Sequence, residues 1–292
     1  MYGVIYALIS AICWAINGII YKIGLKEVGA FTANIHRTLS VIIYLTPIAV
    51  IQNGFREVLF IDPITALVLF VSAFFAFYLG DLLYMTALKK SSVSIALPIS
   101  SSYPVFVVLL SPLLYSAKIT LNGLTSALLV FLAVYILYGR EDVEIKSAGF
   151  AFFAAISWAF AILSLDFLTK RLSVVMVALI RMCINTFFLL PSVNRREILN
   201  KNSMIYTGAI GGFLTCVGLI TFITAVSISG SWTVVQASAS SPVLGALLGK
   251  IVFRERIDIR LLTSVLLIVL SIMLLLLPQF PLLAQILHVF FF

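Results

Sequence analysis

GDLLYMTALKKSSVSIALPISSSYP, residues 80–104, sets an aspartate, a lysine pair, two prolines, two tyrosines and a series of serines into an otherwise greasy chain. Of the 292 residues, 62% are hydrophobic and 10% charged, against about 45–50% and about 25% in soluble domains. That is too little polar surface to coat a soluble core, so the chain reads as an integral membrane protein. Within such a protein, Lys89 and Lys90 mark a tight turn, and Ser91, Ser92 and Ser94 belong to that turn and to the next helix start. Pro98 and Pro104 interrupt the second arm and free backbone carbonyls near Ser100, Ser101 and Ser102. A break of this kind is tolerated where neighbours or a cavity satisfy the freed groups, so the stretch reads as a hairpin whose second arm lines a pathway. Serines also permit close helix packing, which remains the competing reading.

Outward from this hairpin, the chain divides into runs of about 20 apolar residues, the length that crosses a bilayer as a helix. Ten such runs are expected, at 3–21, 31–51, 64–88, 93–115, 121–138, 147–168, 173–192, 203–227, 232–253 and 259–277. Barrel strands would alternate polar and apolar residues, and these runs do not, so the fold class is all-α. The N-terminal MYGVIYALISAICWAINGII has no positive n-region and reads as a retained first helix. The tail after Pro278 is too short to span.

A repeat organises these runs. At an offset of 144, Trp14 meets Trp158, Lys26 meets Lys170, Arg37 meets Arg181 and Pro47 meets Pro191; at 138, Gly80 meets Gly218, Ala87 meets Ala225, Ser102 meets Ser240 and Pro104 meets Pro242. The expectation is a duplicated five-helix unit, residues 1–140 and 141–278, followed by an apolar tail, 279–292. Five is odd, so the two units enter the membrane from opposite sides. Inverted repeats of this kind build alternating access around a midplane site, and paired interruptions (QASASSP at 236–242 answers the first) point to that site.

Net charge is +8, and the basic residues fall in short gaps between apolar runs. They read as topology signals rather than as a nucleic-acid surface. Connections after odd-numbered runs hold 13 Lys and Arg and those after even-numbered runs hold 4, which places both termini outside. Cys13, Cys183 and Cys216 form no disulfide framework or zinc pattern. His36 and His288 stand outside any catalytic or metal constellation, which argues against an enzyme. No metal and no cofactor are expected.

Ionisable residues at membrane depth are expensive and usually face a cavity. Arg37 lies roughly 9 Å into the second run and Asp81 roughly 10 Å from the end of the third. The two reach similar depth from the same side and are candidates for a buried ion pair, structural or functional. Arg181 lies roughly 12 Å into the seventh run, where the mate of Asp81 is Leu219 and Asp166 sits roughly 9 Å shallower. Arg181 is therefore expected to be underpaired. It suits a carboxylate or phosphate, or a structural hydrogen bond to helix-end carbonyls. Trp14, Asn17 and Tyr21 share one helix face, as do Asn34 with Arg37, Asp81 with Tyr84, Arg181 with Asn185, and Gln236 with Ser240. With Ser101, Tyr103, Trp158 and Ser238, these form the candidate binding set. Gly245 and Gly249 form a GxxxG contact motif, within a monomer or between the subunits of a homodimer.

The opening stretch, together with SSPVLGALLGKIVFRERI (240–257) and the doubled five-helix plan, resembles the drug/metabolite transporter superfamily, specifically its EamA-type family. The resemblance covers residues 3–277. It implies a secondary carrier of amino acids, other small metabolites, sugar-linked nucleotides or drugs, multi-pass in the cell membrane and driven by protons or by exchange for a counter-substrate. Glu255 matches the family's glutamate after the fourth helix of a repeat, where the first copy has Ala117. The resemblance also implies cytoplasmic termini, opposite to the charge count. The competing function is a non-catalytic structural or regulatory membrane subunit, which needs no polar pathway.

Overall fold

The computed structural model describes residues 2–115, 121–138, 145–238, 241–254 and 258–276. Among them every regular element is helical. Among the described residues, seven helices are long and apolar enough to cross a membrane: α1 (Tyr2–Gly24), α2 (Ala30–Ile51), α3 (Pro63–Lys90), α4 (Val93–Ser111), then α6 (Lys146–Leu168), α7 (Val174–Ser192) and α8 (Lys201–Ser231). Between them lies α5 (Leu121–Tyr138), and after them α9 (Ser241–Phe253) and α10 (Ile259–Leu276). Glu255 and the tail beyond 276 lie outside the described residues, as does Ser240.

Local sequence explains the helix ends. Asp62 caps α3, its carboxylate accepting from Ile64 N at 2.9 Å and Thr65 N at 3.0 Å, with Pro63 in the first turn, where a missing N–H costs nothing. Asn200, at the 138-residue offset from Asp62, caps α8 by accepting from Ser203 N at 2.9 Å. At Gly230 the backbone takes φ 75° and ψ 156°, a conformation open to glycine and strained for other residues. This kink ends α8, and helix resumes to Ala237.

Two helices carry internal irregularities. In α3 the segment Phe74–Gly80 is a π-helix, which loosens the hydrogen-bond ladder. Two of its carbonyls are taken up by α6: Ser157 Oγ donates to Phe75 O at 2.7 Å and Trp158 Nε1 donates to Ala76 O at 3.1 Å. In α4 the helix breaks at Ser101–Ser102, one turn after Pro98, and restarts at Tyr103–Pro104. Pro98 itself stays inside a continuous helix, so of the two prolines only Pro104 marks the interruption. Ser100 Oγ donates to Leu97 O and Ser102 Oγ to Ile99 O, at 3.1 and 2.7 Å, so the serines satisfy the carbonyls at the break.

The helices pack in pairs: α1 with α8, α2 with α7, α3 with α6, α4 with α9 and α5 with α10. Glycines make two of these contacts close. A Cβ on Gly80 would fall 2.5 Å from Trp158 Cδ1, and one on Gly218 would fall 3.1 Å from Trp14 Nε1. Outward faces carry exposed Ile43, Phe70, Leu128, Phe131, Phe187 and Leu266, as lipid contact requires.

One end of the bundle is densely tied. Lys22 Nζ donates to Leu88 O and Ser91 O, both at 2.5 Å, and Lys89 Nζ donates to Val28 O at 2.8 Å. Glu197 accepts from Gly29 N at 2.8 Å and Thr32 Oγ1 at 2.9 Å. His36, expected to stand alone, sits 2.9 Å from Ser203 Oγ and 2.8 Å from Ile198 O, a structural clasp between α2 and the start of α8.

Candidate functional site

Among the described residues, a cavity of about 120 Å³ lies between α1, α2, α3, α4, α6, α7 and α8. One water needs about 10–15 Å³ of such space, so there is room for a small organic molecule. Most of its polar wall comes from the first half of the chain, with Trp158, Arg181 and Thr215 added from the second. Trp14, Asn17 and Tyr21 from α1 all line it, as the helical spacing requires. Tyr21 hydrogen-bonds Thr215 on α8. The Asn17 side chain lies beside them, its amide oxygen 3.1 Å from Thr215 Oγ1 and 3.2 Å from Tyr21 OH and its NH₂ donating to Gly211 O at 3.2 Å.

Across from α1 lies the charged group. Arg37 and Asp81 form the ion pair that their depth implied. Arg37 Nη2 also donates to Asn34 Oδ1 at 2.7 Å, and Asn34 Nδ2 donates to Phe77 O at 2.7 Å. The remaining carboxylate oxygen of Asp81 accepts from Trp158 Nε1 at 3.0 Å. Both carboxylate oxygens are thus occupied by donors from α2 and α6.

Arg181 is placed differently. It is 3% exposed, as is Arg37, and it lines the same cavity. It has no ion pair or hydrogen bond to any described residue, and its Nε is buried without a partner. Its one close support is the Phe77 ring, 4.7 Å from Cζ; the same ring lies 5.7 Å from Arg37 Cζ. Asp166, the acid that the sequence sets roughly 9 Å shallower on that half, is committed elsewhere: it accepts from Ser231 N at 2.8 Å and from the Ser231 hydroxyl, capping the helix after Gly230.

Of the remaining expected residues, Tyr84, Ser101, Tyr103 and Trp158 line the cavity, and the Tyr84 hydroxyl has no hydrogen-bond partner among the described residues. Tyr103 OH sits 2.5 Å from Ser238 Oγ, so Ser238 supports the wall from behind. Asn34 and Asn185 do not line it. Asn185 Nδ2 donates to Thr38 Oγ1 at 2.8 Å and ties α7 to α2. Gln236 lies on described backbone, but its side chain falls outside the described residues, as Ser240 does entirely. Sequence reasoning missed Thr215, Phe77 and an apolar wall that includes Leu97, Leu219, Phe222 and Ile223. Thr215 and Phe77 are mates at the 138-residue offset, and comparison of the copies could have paired them.

A wider cavity of about 460 Å³ lies beyond the first, between Val107 and Ser111 of α4, Leu163, Asp166 and Lys170 at the end of α6, and Val226 to Ser231 of α8. It sits toward the end opposite the Lys22–Glu197 ties. At that far end, Glu57 of the α2–α3 connection accepts from Ser173 N at 2.8 Å.

Comparison with known proteins gives a consistent result. The profile of the EamA-like transporter family matches residues 1–139 and 145–277. A protein of Archaeoglobus fulgidus named "Uncharacterized transporter" is 48% identical over 279 residues, covering 95% of this chain and 99% of its own. A solved structure named only "Crystal structure of protein" superposes with a TM-score of 0.58 at 15% identity, over 93% of this chain and 95% of the other. At that identity it supports the fold alone.

Proposed function

Because the chain belongs to the EamA-like transporter family, and is therefore a multi-pass membrane protein that handles a small molecule, we propose that it is a secondary active transporter of the cell membrane. It would move a small metabolite, an amino acid or related organic solute, by alternating access. The architecture in this reading is ten transmembrane helices, arranged as two five-helix units of opposite orientation. Three observations support it. The family profile matches in two stretches, one per unit. The helix pairs α1–α8 and α6–α3 exchange under the repeat, while α2–α7, α4–α9 and α5–α10 each map onto themselves. The tryptophan–glycine contacts Trp14–Gly218 and Trp158–Gly80 are mates as well.

The observation that carries the function is the cavity itself. Helices of both units wall it, its ionised residues are held at membrane depth, and a wider cavity lies toward the α6–α7 end. A structural subunit has no need of such a site. In this reading the present conformation faces the α6–α7 end, and the Lys22, Lys89 and Glu197 ties close the other. Protons or a counter-substrate would drive the exchange of these two states.

The test is cysteine accessibility in liposomes. Ser101→Cys, in a background lacking Cys13, Cys183 and Cys216, should react with an impermeant thiol reagent from either side, at rates that a bound solute changes. A cysteine there that reacts from neither side would make the protein a structural subunit. Uptake of labelled organic solutes, with and without a pH gradient, then separates proton coupling from exchange.

A further inference from the structure

The ionised side chains lining the central cavity are Arg37, Asp81 and Arg181, and their sum is one positive charge. Asp81 is ion-paired with Arg37 and accepts from Trp158, so the excess resides on Arg181, which has no ion pair among the described residues. The repeat explains why. At the position related to Asp81 the second unit carries Leu219, which lines the cavity without a charge. An isolated buried charge is among the most costly arrangements in a protein interior, and a guanidinium offers a planar donor set that fits a carboxylate.

We propose that this cavity binds monocarboxylates with a compact apolar body, and that it discriminates against zwitterions and amines. The proposal rests on the transport reading and uses the same cavity, and within the solutes named there it selects organic monocarboxylates over amino acids. A bound monoanion brings the buried charge to zero. A zwitterion leaves it at plus one, and its ammonium group would have to share the Asp81 carboxylate with Arg37 and Trp158. A cation would raise it to plus two. In the proposed complex the carboxylate pairs with Arg181, and the unpartnered Tyr84 hydroxyl supplies a second donor. The apolar body lies against Trp14, Trp158 and Phe222.

The experiment uses three compounds with one isobutyl body: 4-methylpentanoate, L-leucine and 3-methylbutylamine. Each is titrated into the full-length protein in detergent, and binding is read by tryptophan fluorescence and calorimetry. Transport is not required, so this result and the liposome result can fail separately. The expected order is 4-methylpentanoate tighter than leucine by at least tenfold, with the amine weakest. Arg181→Gln should lose at least tenfold for the carboxylate. Leu219→Asp, which restores the missing acid and a net charge of zero, should abolish the preference for carboxylate over leucine even if Arg181→Gln does not fold. Leucine or the amine binding as tightly as the carboxylate to the unmodified protein overturns the proposal, as does failure of all three to bind. Retention of the carboxylate preference by folded Leu219→Asp overturns it equally.

Discussion

Arg37 and Arg181 are the same residue at related positions, equally buried, and replacing each by methionine should move stability in different directions. Removing Arg37 strands the Asp81 carboxylate in the interior, and breaking a buried pair in this way costs about 3–5 kcal/mol. At roughly 2–4 °C per kcal/mol for a chain of this size class, the melting temperature should fall by roughly 6–20 °C. Removing Arg181 strands nothing. The loss is its stacking on Phe77 at 4.7 Å, worth about 0.5–2 kcal/mol. The gain is relief of the orphaned Nε, about 1–3 kcal/mol, together with the desolvation of an uncompensated charge. The net expectation for Arg181→Met is an unchanged or raised melting temperature without solute, and no protection by carboxylate. Both variants can be followed by thermal unfolding in detergent, detected by size-exclusion chromatography. An Arg181→Met protein as unstable as Arg37→Met would refute the claim that Arg181 lacks a structural partner.

Trp158→Phe deletes the donor shared by Asp81 and Ala76 O and should cost about 1–3 kcal/mol in the same assay; an unchanged melting temperature would mean that the indole N–H is not holding the carboxylate. Gly230→Ala meets open space, its nearest atom being Asp166 Oδ1 at 3.8 Å, so its cost is purely conformational, about 1–3 kcal/mol, and a neutral result would exclude the positive φ. Gly80→Ala presses a Cβ to 2.5 Å from Trp158 and should weaken 4-methylpentanoate binding more than Gly218→Ala, whose contact is looser. The Gly29 N–H holds the Glu197 carboxyl below its ordinary range against an opposing effect of burial, with Thr32 and Asn194 assisting. Its stabilisation is therefore full above the ordinary carboxylate range and lost as pH falls through the lowered value. Glu197→Gln should lower the melting temperature at neutral pH by an amount worth about 1 kcal/mol or less and converge with the unmodified protein in acid; divergence in acid would contradict the assignment.

Much of this was visible in the residues because the membrane constrains the alternatives. Apolar runs delimited most helices to within a few positions, since a span needs a fixed length of greasy side chains, but the ninth, expected from 232, is described from Ser241. Depth along two helices paired Arg37 with Asp81, and the leucine at 219 marked Arg181 as the odd cation. What stayed hidden depended on backbone irregularity or on side-chain direction. The π-helix at Phe74–Gly80 leaves the hydrophobic pattern unchanged, so nothing announced that Phe75 O and Ala76 O would accept from Ser157 and Trp158. Asn34 and Asn185 share faces with the arginines, but each sits one turn away and is spent on a neighbouring helix. Thr215 is one of several hydroxyls along α8, and its contact with Tyr21 and Asn17 is what distinguishes it.

The unbalanced charge at Arg181 has an electrical consequence. Moving one elementary charge through a membrane potential is worth about 2.3 kcal/mol per 100 mV. A carrier whose empty cavity holds one positive charge feels that voltage when it changes sides, whereas the same carrier loaded with a monoanion does not. An interior-negative potential would therefore draw the empty site toward the cytoplasm and leave the loaded one indifferent. Voltage would act on the return stroke alone, and the favoured direction would be export.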